Sequence, residues 1–267
     1  MKFENVYWDA DTLNEDHRAA SILAIGDSWF WYPFPGGSLL NALGPLVAGR
    51  QHTILAIGNN GAEAYDYVLG KYEKIVRTAL AQHGTGLSAV FLSGGGNDFA
   101  GFSDLRPLLE RDCSGAANAD ECYRPGDADG TLDWFLRKLK ESYALLLGRV
   151  LLSTPPELRV FMHNYDYPIP TGRGVYGGNS GWLKPALDDA QVPPGLQQAC
   201  LRHLIDRLTD VLRELAARDP VRIVLVDSTD TLVPADWANE LHPKPAGFRK
   251  IARERWLPLL QAHGLAN

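Results

Sequence analysis

Five short apolar runs, each followed by a stretch of helical length, constrain this chain more than any other feature. Residues 21–27, 52–58, 87–94, 158–164 and 221–227 are rich in Val, Ile, Leu and Ala and close on glycine or a polar residue. Runs of that length, apolar at successive positions, suit parallel strands covered on both faces. The stretches between them, 37–49, 62–82, 131–152, 195–217 and 245–262, carry apolar residues at helical spacing. In 62–82 these are Tyr65, Val68, Leu69, Tyr72, Ile75, Val76 and Leu80. In 195–217 they are Leu196, Cys200, Leu201, Leu204, Leu208, Val211, Leu212 and Leu215. The alternation predicts an α/β fold, a three-layer α/β/α sandwich around a five-stranded parallel sheet. Right-handed crossovers leave few other topologies.

The 267 residues fit one such domain, 1–267, with insertions near 105–130 and 165–190, where Gly, Pro and polar residues break the pattern. A net charge of −6 without a basic stripe argues against nucleic acid as a partner. No apolar run approaches the roughly 20 residues of a membrane helix, so no integral membrane segment is expected. The first twenty residues lack the apolar core of a signal peptide, which makes the cytoplasm the default location. Cys113 and Cys122 leave two readings open, free thiols or a small-loop disulfide. The disulfide would point instead to a secreted or periplasmic protein. Cys200 falls on the apolar side of its helix pattern and is expected in the core. No metal-ligand spacing occurs, and no cofactor is called for. Oligomeric state cannot be read from the sequence.

In a doubly wound sheet the reactive groups gather outside the carboxyl ends of the strands. Five clusters of this sequence converge there. Gly26-Asp27-Ser28 ends the first run, Gly58 to Gly61 the second, and Gly94 to Asp98 the third. His163 to Pro168 ends the fourth, and Asn239-Glu240-Leu241-His242-Pro243 precedes the last helix. In this order and context the blocks resemble the SGNH hydrolases, also called GDSL-type esterases, over roughly residues 20–260. The resemblance implies a flavodoxin-like sheet, with Ser28 as nucleophile and His242 as base. It also implies an oxyanion hole made by the backbone N–H of Ser28, the backbone N–H of Gly61 and the side-chain amide of Asn97.

The chemistry requires such a set. A serine hydroxyl attacks an ester only when a base takes its proton, and the carbonyl oxygen that becomes an anion needs donors already aimed at it. Each residue also has a plainer reading. Ser28 could cap a helix, Asn97 could tie a turn, and Gly58 and Gly61 could be turn residues. Asp98 is expected to be structural, capping the next helix. One position departs from the family pattern, which has Asp three residues before the histidine; here it is Asn239. Three arrangements are open: Asn239 or a backbone carbonyl orients His242, Asp236 or Glu240 substitutes, or the protein is catalytically weak.

Trp29, Trp31, Tyr32 and Phe34 form an aromatic loop after Ser28, with Phe30 expected in the core. Tyr165, Tyr167, Tyr176 and Trp182 add rings from the loop after the fourth run. Trp29, Trp31, Tyr32 and Tyr165 are the expected walls of a substrate cleft. Such walls suit a small-molecule or glycan ester with a short acyl group. The other readings are a lysophospholipase or lipase with longer chains, and a non-catalytic binding protein of the same fold.

Overall fold

The computed structural model describes residues 5–31, 37–175, 178 and 181–267. Within them one parallel sheet is formed by β1 (Val6–Tyr7), β2 (Ile22–Gly26), β3 (Ile54–Gly58), β4 (Ala89–Ser93), β5 (Arg159–His163) and β6 (Ile223–Val226). The strand order is β1-β3-β2-β4-β5-β6. The sheet thus has six strands where five were expected. The extra one, β1, is a two-residue edge strand in register with Ile54 and Leu55, and two residues in a polar N-terminal stretch carry no period to read.

The inner strands β2 and β4 are buried along their whole length, which is why they read as unbroken apolar runs. Helices α1 (Leu39–Ala48) and α5 (Pro245–Ile251) pack on one another. On the other side, α3 (Leu132–Ser153) packs against α2 (Glu73–His83) and α4 (Pro194–Ala216). Local chemistry sets their starts. Ser38 and Asn41 form a reciprocal capping box on α1, and the Thr131 hydroxyl accepts the Trp134 N–H on α3.

Two helical expectations are corrected. Residues 62–82 are not one helix but a 3₁₀ turn, Ala64–Tyr67, followed by α2. The Asp66 carboxylate accepts the N–H groups of Glu63 and Lys71, offering the backbone an alternative to helical bonds. Tyr65, Leu69 and Ile75 of the supposed apolar face are exposed. The final helix widens into a π-helical stretch at Ala252–Trp256 before Leu257–Ala262, just ahead of Pro258, which cannot donate a backbone bond.

All three cysteines are free and buried. The disulfide reading is therefore set aside, and with it the argument it offered for an oxidising compartment. Free thiols were the other reading, but Cys113 and Cys122 lie in the core rather than in an open loop. Among the described residues no helix is long and apolar enough to cross a membrane.

Successive crossovers leave β2 toward β3 on one side and β4 toward β5 on the other. The carboxyl ends of β2 and β4 therefore flank the crevice at the switch point of the sheet. Ser28 follows β2 and Asn97 follows β4.

Candidate active site

The turn out of β2 is shaped by Asp27, which is buried. Its backbone carbonyl accepts the N–H groups of Phe30 and Trp31, and its carboxylate Oδ1 accepts that of Trp29 at 3.0 Å. Asp27 thereby does the capping that Ser28 could have done, and Ser28 becomes the first residue of the short helix Ser28–Trp31. Its hydroxyl lies 2.8 Å from His242 Nε2. Its N–H belongs to a first helical turn, where amides have no carbonyl partner four residues back.

The histidine loop is a tight turn. Ala238 N–H donates to the His242 carbonyl at 2.9 Å, and Trp237 bridges Pro243. The Asn239 side chain closes it. Its Oδ1 lies 3.0 Å from Leu241 N, 2.9 Å from His242 N and 3.1 Å from His242 Nδ1. Two of these partners are obligate donors, so the atom is an acceptor and Nδ1 must carry the proton. The Nε2 lone pair then faces the Ser28 hydroxyl. His242 is buried, which pushes its pKa down to about 3 and keeps the ring neutral. Trp182 packs edge-on against it at 5.9 Å between ring centres.

The two carboxylates that could have substituted for the family's Asp serve elsewhere. Glu240 is buried and accepts the N–H groups of Gly172, Leu183 and Lys184, tying down the long loop after β5. Asp236 accepts the Val233 N–H and lies 3.8 Å from Lys250.

Asn97 lines a cleft beside Ser28, whereas Gly61, on the turn that follows β3, is not among the cleft's lining residues. Asn97 Nδ2 donates to the Ala62 carbonyl at 3.0 Å, which commits one of its two amide hydrogens and links the two turns. Asp98 accepts the Ala64 N–H at 2.9 Å and so caps the 3₁₀ turn behind Gly61 rather than the next helix. Burial pushes the Asp98 carboxyl up to about 7 and that of Asp27 up to about 6. Gly61 has φ +75° with open space where a side chain would stand. Glycine is needed there for its backbone conformation and not for lack of room. Crowding occurs instead at Gly58, where a Cβ would lie 2.1 Å from the Gly26 carbonyl oxygen.

The cleft that adjoins Ser28 and Asn97 is narrow, about 20 Å³, and open to solvent. Phe99, Tyr165, Pro168, Ile205 and Leu241 line it. Of the expected aromatic walls, Trp29 and Tyr165 contribute, but both are almost wholly buried. Trp29 donates its indole N–H to the Leu241 carbonyl at 3.0 Å. Trp31 turns away and packs on Trp8. Phe30 is in the core, as expected. Tyr32, Phe34 and Tyr176 lie outside the described residues. Phe99 and Ile205 had no signal of their own in the sequence, since each looks like any core residue of its element. Among the described residues no group of His, Cys, Asp or Glu is gathered in a way that could hold a metal ion.

No protein-family model matches the chain, and no curated protein matches it by sequence. Solved structures do match by fold. The extracellular lipase of Streptomyces rimosus aligns at TM-score 0.50 and 17% identity, covering 92% of this chain and 100% of the other. The phospholipase A1 of Streptomyces albidoflavus NA297 aligns at 0.50 and 15%, covering 92% and 99%. A carbohydrate acetylesterase family member from Sinorhizobium meliloti aligns at 0.51 and 16%, covering 91% and 98%. At these identities the likeness is one of fold: this chain shares with all three an α/β sandwich built around a parallel sheet.

Proposed function

We propose that this protein is a serine ester hydrolase acting on acyl esters of small molecules or carbohydrates, with a short acyl group. The observation that carries the reading is the chain of contacts from Ser28 Oγ through the His242 ring to Asn239 Oδ1, at 2.8 and 3.1 Å. The names of the structural neighbours, two lipolytic enzymes and an acetylesterase, agree with ester chemistry.

In this reading Ser28 Oγ attacks the ester carbonyl carbon while His242 Nε2 takes its proton. The new O⁻ is met by the N–H of Ser28, the N–H of Gly61 and the uncommitted amide hydrogen of Asn97. His242 then gives the proton to the departing alkoxide, leaving an acyl group on Ser28. A water activated by the same nitrogen releases the acid. Asn239 holds the ring in the tautomer that each step needs, but its neutral amide adds no charge to steady the imidazolium. Phe99 and Ile205 bound the cleft beside Asn97 and favour short acyl groups.

One observation favours the longer-chain reading. An exposed groove of about 420 Å³, lined in part by Tyr65, Leu69, Phe135 and Leu145, reaches Asp98, next to Asn97. Hydrolysis of p-nitrophenyl esters from acetate to palmitate tests both. Rates falling with chain length support the short-acyl reading, and rates rising with it support the lipase. Absence of turnover at every length leaves the binding protein, and turnover unchanged in Ser28→Ala rejects Ser28 as the nucleophile.

A further inference from the structure

We infer that Tyr165 is a positioning residue, whose hydroxyl ties the turn carrying Asn97 to the turn carrying Ser28. The inference rests on the ester-hydrolase reading above and adds a residue to which the resemblance gives no role.

Tyr165 lies two residues beyond β5, with its ring buried and packed edge-on against Trp29 at 5.1 Å between centres. Its hydroxyl donates to Asp27 Oδ2 at 2.5 Å and accepts the Gly96 N–H at 3.0 Å. The other carboxylate oxygen of Asp27 accepts the Trp29 N–H. One oxygen atom therefore spans from the residue before Ser28 to the residue before Asn97. No other side-chain hydroxyl of the described residues bonds to both turns. Tyr143, the nearest analogue, bonds only to Gly94, donating to its carbonyl and accepting its N–H at 2.9 Å each.

Gly96 gives an independent sign that this contact shapes the site. A Cβ there would lie 3.0 Å from Tyr165 Cζ and 3.2 Å from Asp27 Oδ2. The backbone at 96 is drawn so close to the bridge that a side chain could fit only if the bridge gave way. A short, charge-assisted bond on one side and a backbone amide on the other make a stiff link. Asn97 is the next residue along, and its amide must meet an oxygen bonded to carbon at Ser28. The relative position of these two turns sets how well that meeting is prepared before reaction.

Removing the hydroxyl in Tyr165→Phe keeps the ring packing and strands both partners. Misplacement of a reacting group by about 1 Å costs on the order of 100-fold in rate. A kcat loss of roughly 10- to 100-fold is therefore expected, with KM within about threefold of wild type, because the link acts on the transition state rather than on substrate binding. Asp27→Asn cuts the same link from its other end, and the double variant is expected to lose no more than the worse single one. Steady-state kinetics on p-nitrophenyl acetate, with thermal melts to show that each variant is folded, make the test. The kcat-selective loss in whichever single variant folds supports the role. A kcat within twofold of wild type in a folded Tyr165→Phe, a loss seen only in KM, or additive losses in the double variant overturn it. Wild-type protein inactive on every ester length would instead overturn the ester-hydrolase reading itself.

Discussion

Asn239 shows how one residue can fix the orientation of the histidine proposed as base without supplying charge. Its oxygen collects two backbone N–H groups and His242 Nδ1–H, so the loop and the ring orientation depend on the same atom. An aspartate could accept all three bonds and add a negative charge beside the ring. Asn239→Asp is therefore expected to raise the His242 pKa from about 3 by about 1–3 units, as an opposite charge at this distance does. NMR titration of the ring reads the shift, and an unmoved pKa would show that the amide is not the ring's partner in solution. His242→Ala is expected to remove at least about 1000-fold of kcat/KM, while Asn239→Ala leaves measurable turnover. Equal losses in esterase assays would mean that orientation matters as much as the base. The blocks made the serine, the histidine and the missing aspartate legible. What fills the aspartate's place stayed open among several candidates, because Asp236, Asn239 and Glu240 all lie within six residues of His242 and only the loop's path separates them.

At the scale of elements, the two glycines that end β3 have different physical reasons. Gly58, at φ +124°, stands against the Gly26 carbonyl oxygen, whereas Gly61, at φ +75°, faces open space. Gly58→Ala must push β2 and β3 apart at their carboxyl ends and is expected to cost more than about 3 kcal/mol of stability. Gly61→Ala pays only for its left-handed backbone, about 1–2 kcal/mol. Denaturant unfolding of the two variants checks the contrast, and similar costs would refute it. Either position could have been taken for an ordinary turn glycine. The helix expected over 62–82 failed for a related reason. Its periodicity was real, but Asp66 supplies local backbone bonds that break it, and Tyr65, Leu69 and Ile75 of the supposed inner face are exposed. By contrast, α3 and α4, long and capped or led by proline, follow their patterns closely.

For the whole molecule, acid stability is a balance of buried groups with opposite sign. His163 and His242, each held down to about 3, contribute stability that is present above about pH 6.5 and lost as pH falls toward 3. Asp27 and Asp98, raised to about 6 and 7, contribute stability that is present below about pH 4 and lost as pH rises through those values. Between about pH 4 and 6.5 the two pairs oppose each other. His163, bonded through Nε2 to the Ser228 hydroxyl at 2.7 Å, lies outside the proposed chemistry. His163→Gln is expected to lower the slope of unfolding free energy against pH in that window by up to about 1.4 kcal/mol per unit. Denaturant melts across the window read it, and an unchanged slope would show that His163 is not neutral in the fold. The sequence by itself determined the layered α/β fold and the crevice edge, because strand length, apolar periodicity and glycine-rich strand ends are local properties of the chain. The resemblance carried by its sequence blocks is what brought Ser28, His242, Gly61 and Asn97 into the proposed chemistry. Only the tertiary structure decided that the cysteines are free, that Trp31 leaves the cleft, that Phe99 and Ile205 bound it, and that Tyr165 joins two turns. Those facts depend on contacts between distant residues, such as that of Tyr165 with Asp27, 138 positions away, and no local pattern encodes which distant side chain will arrive.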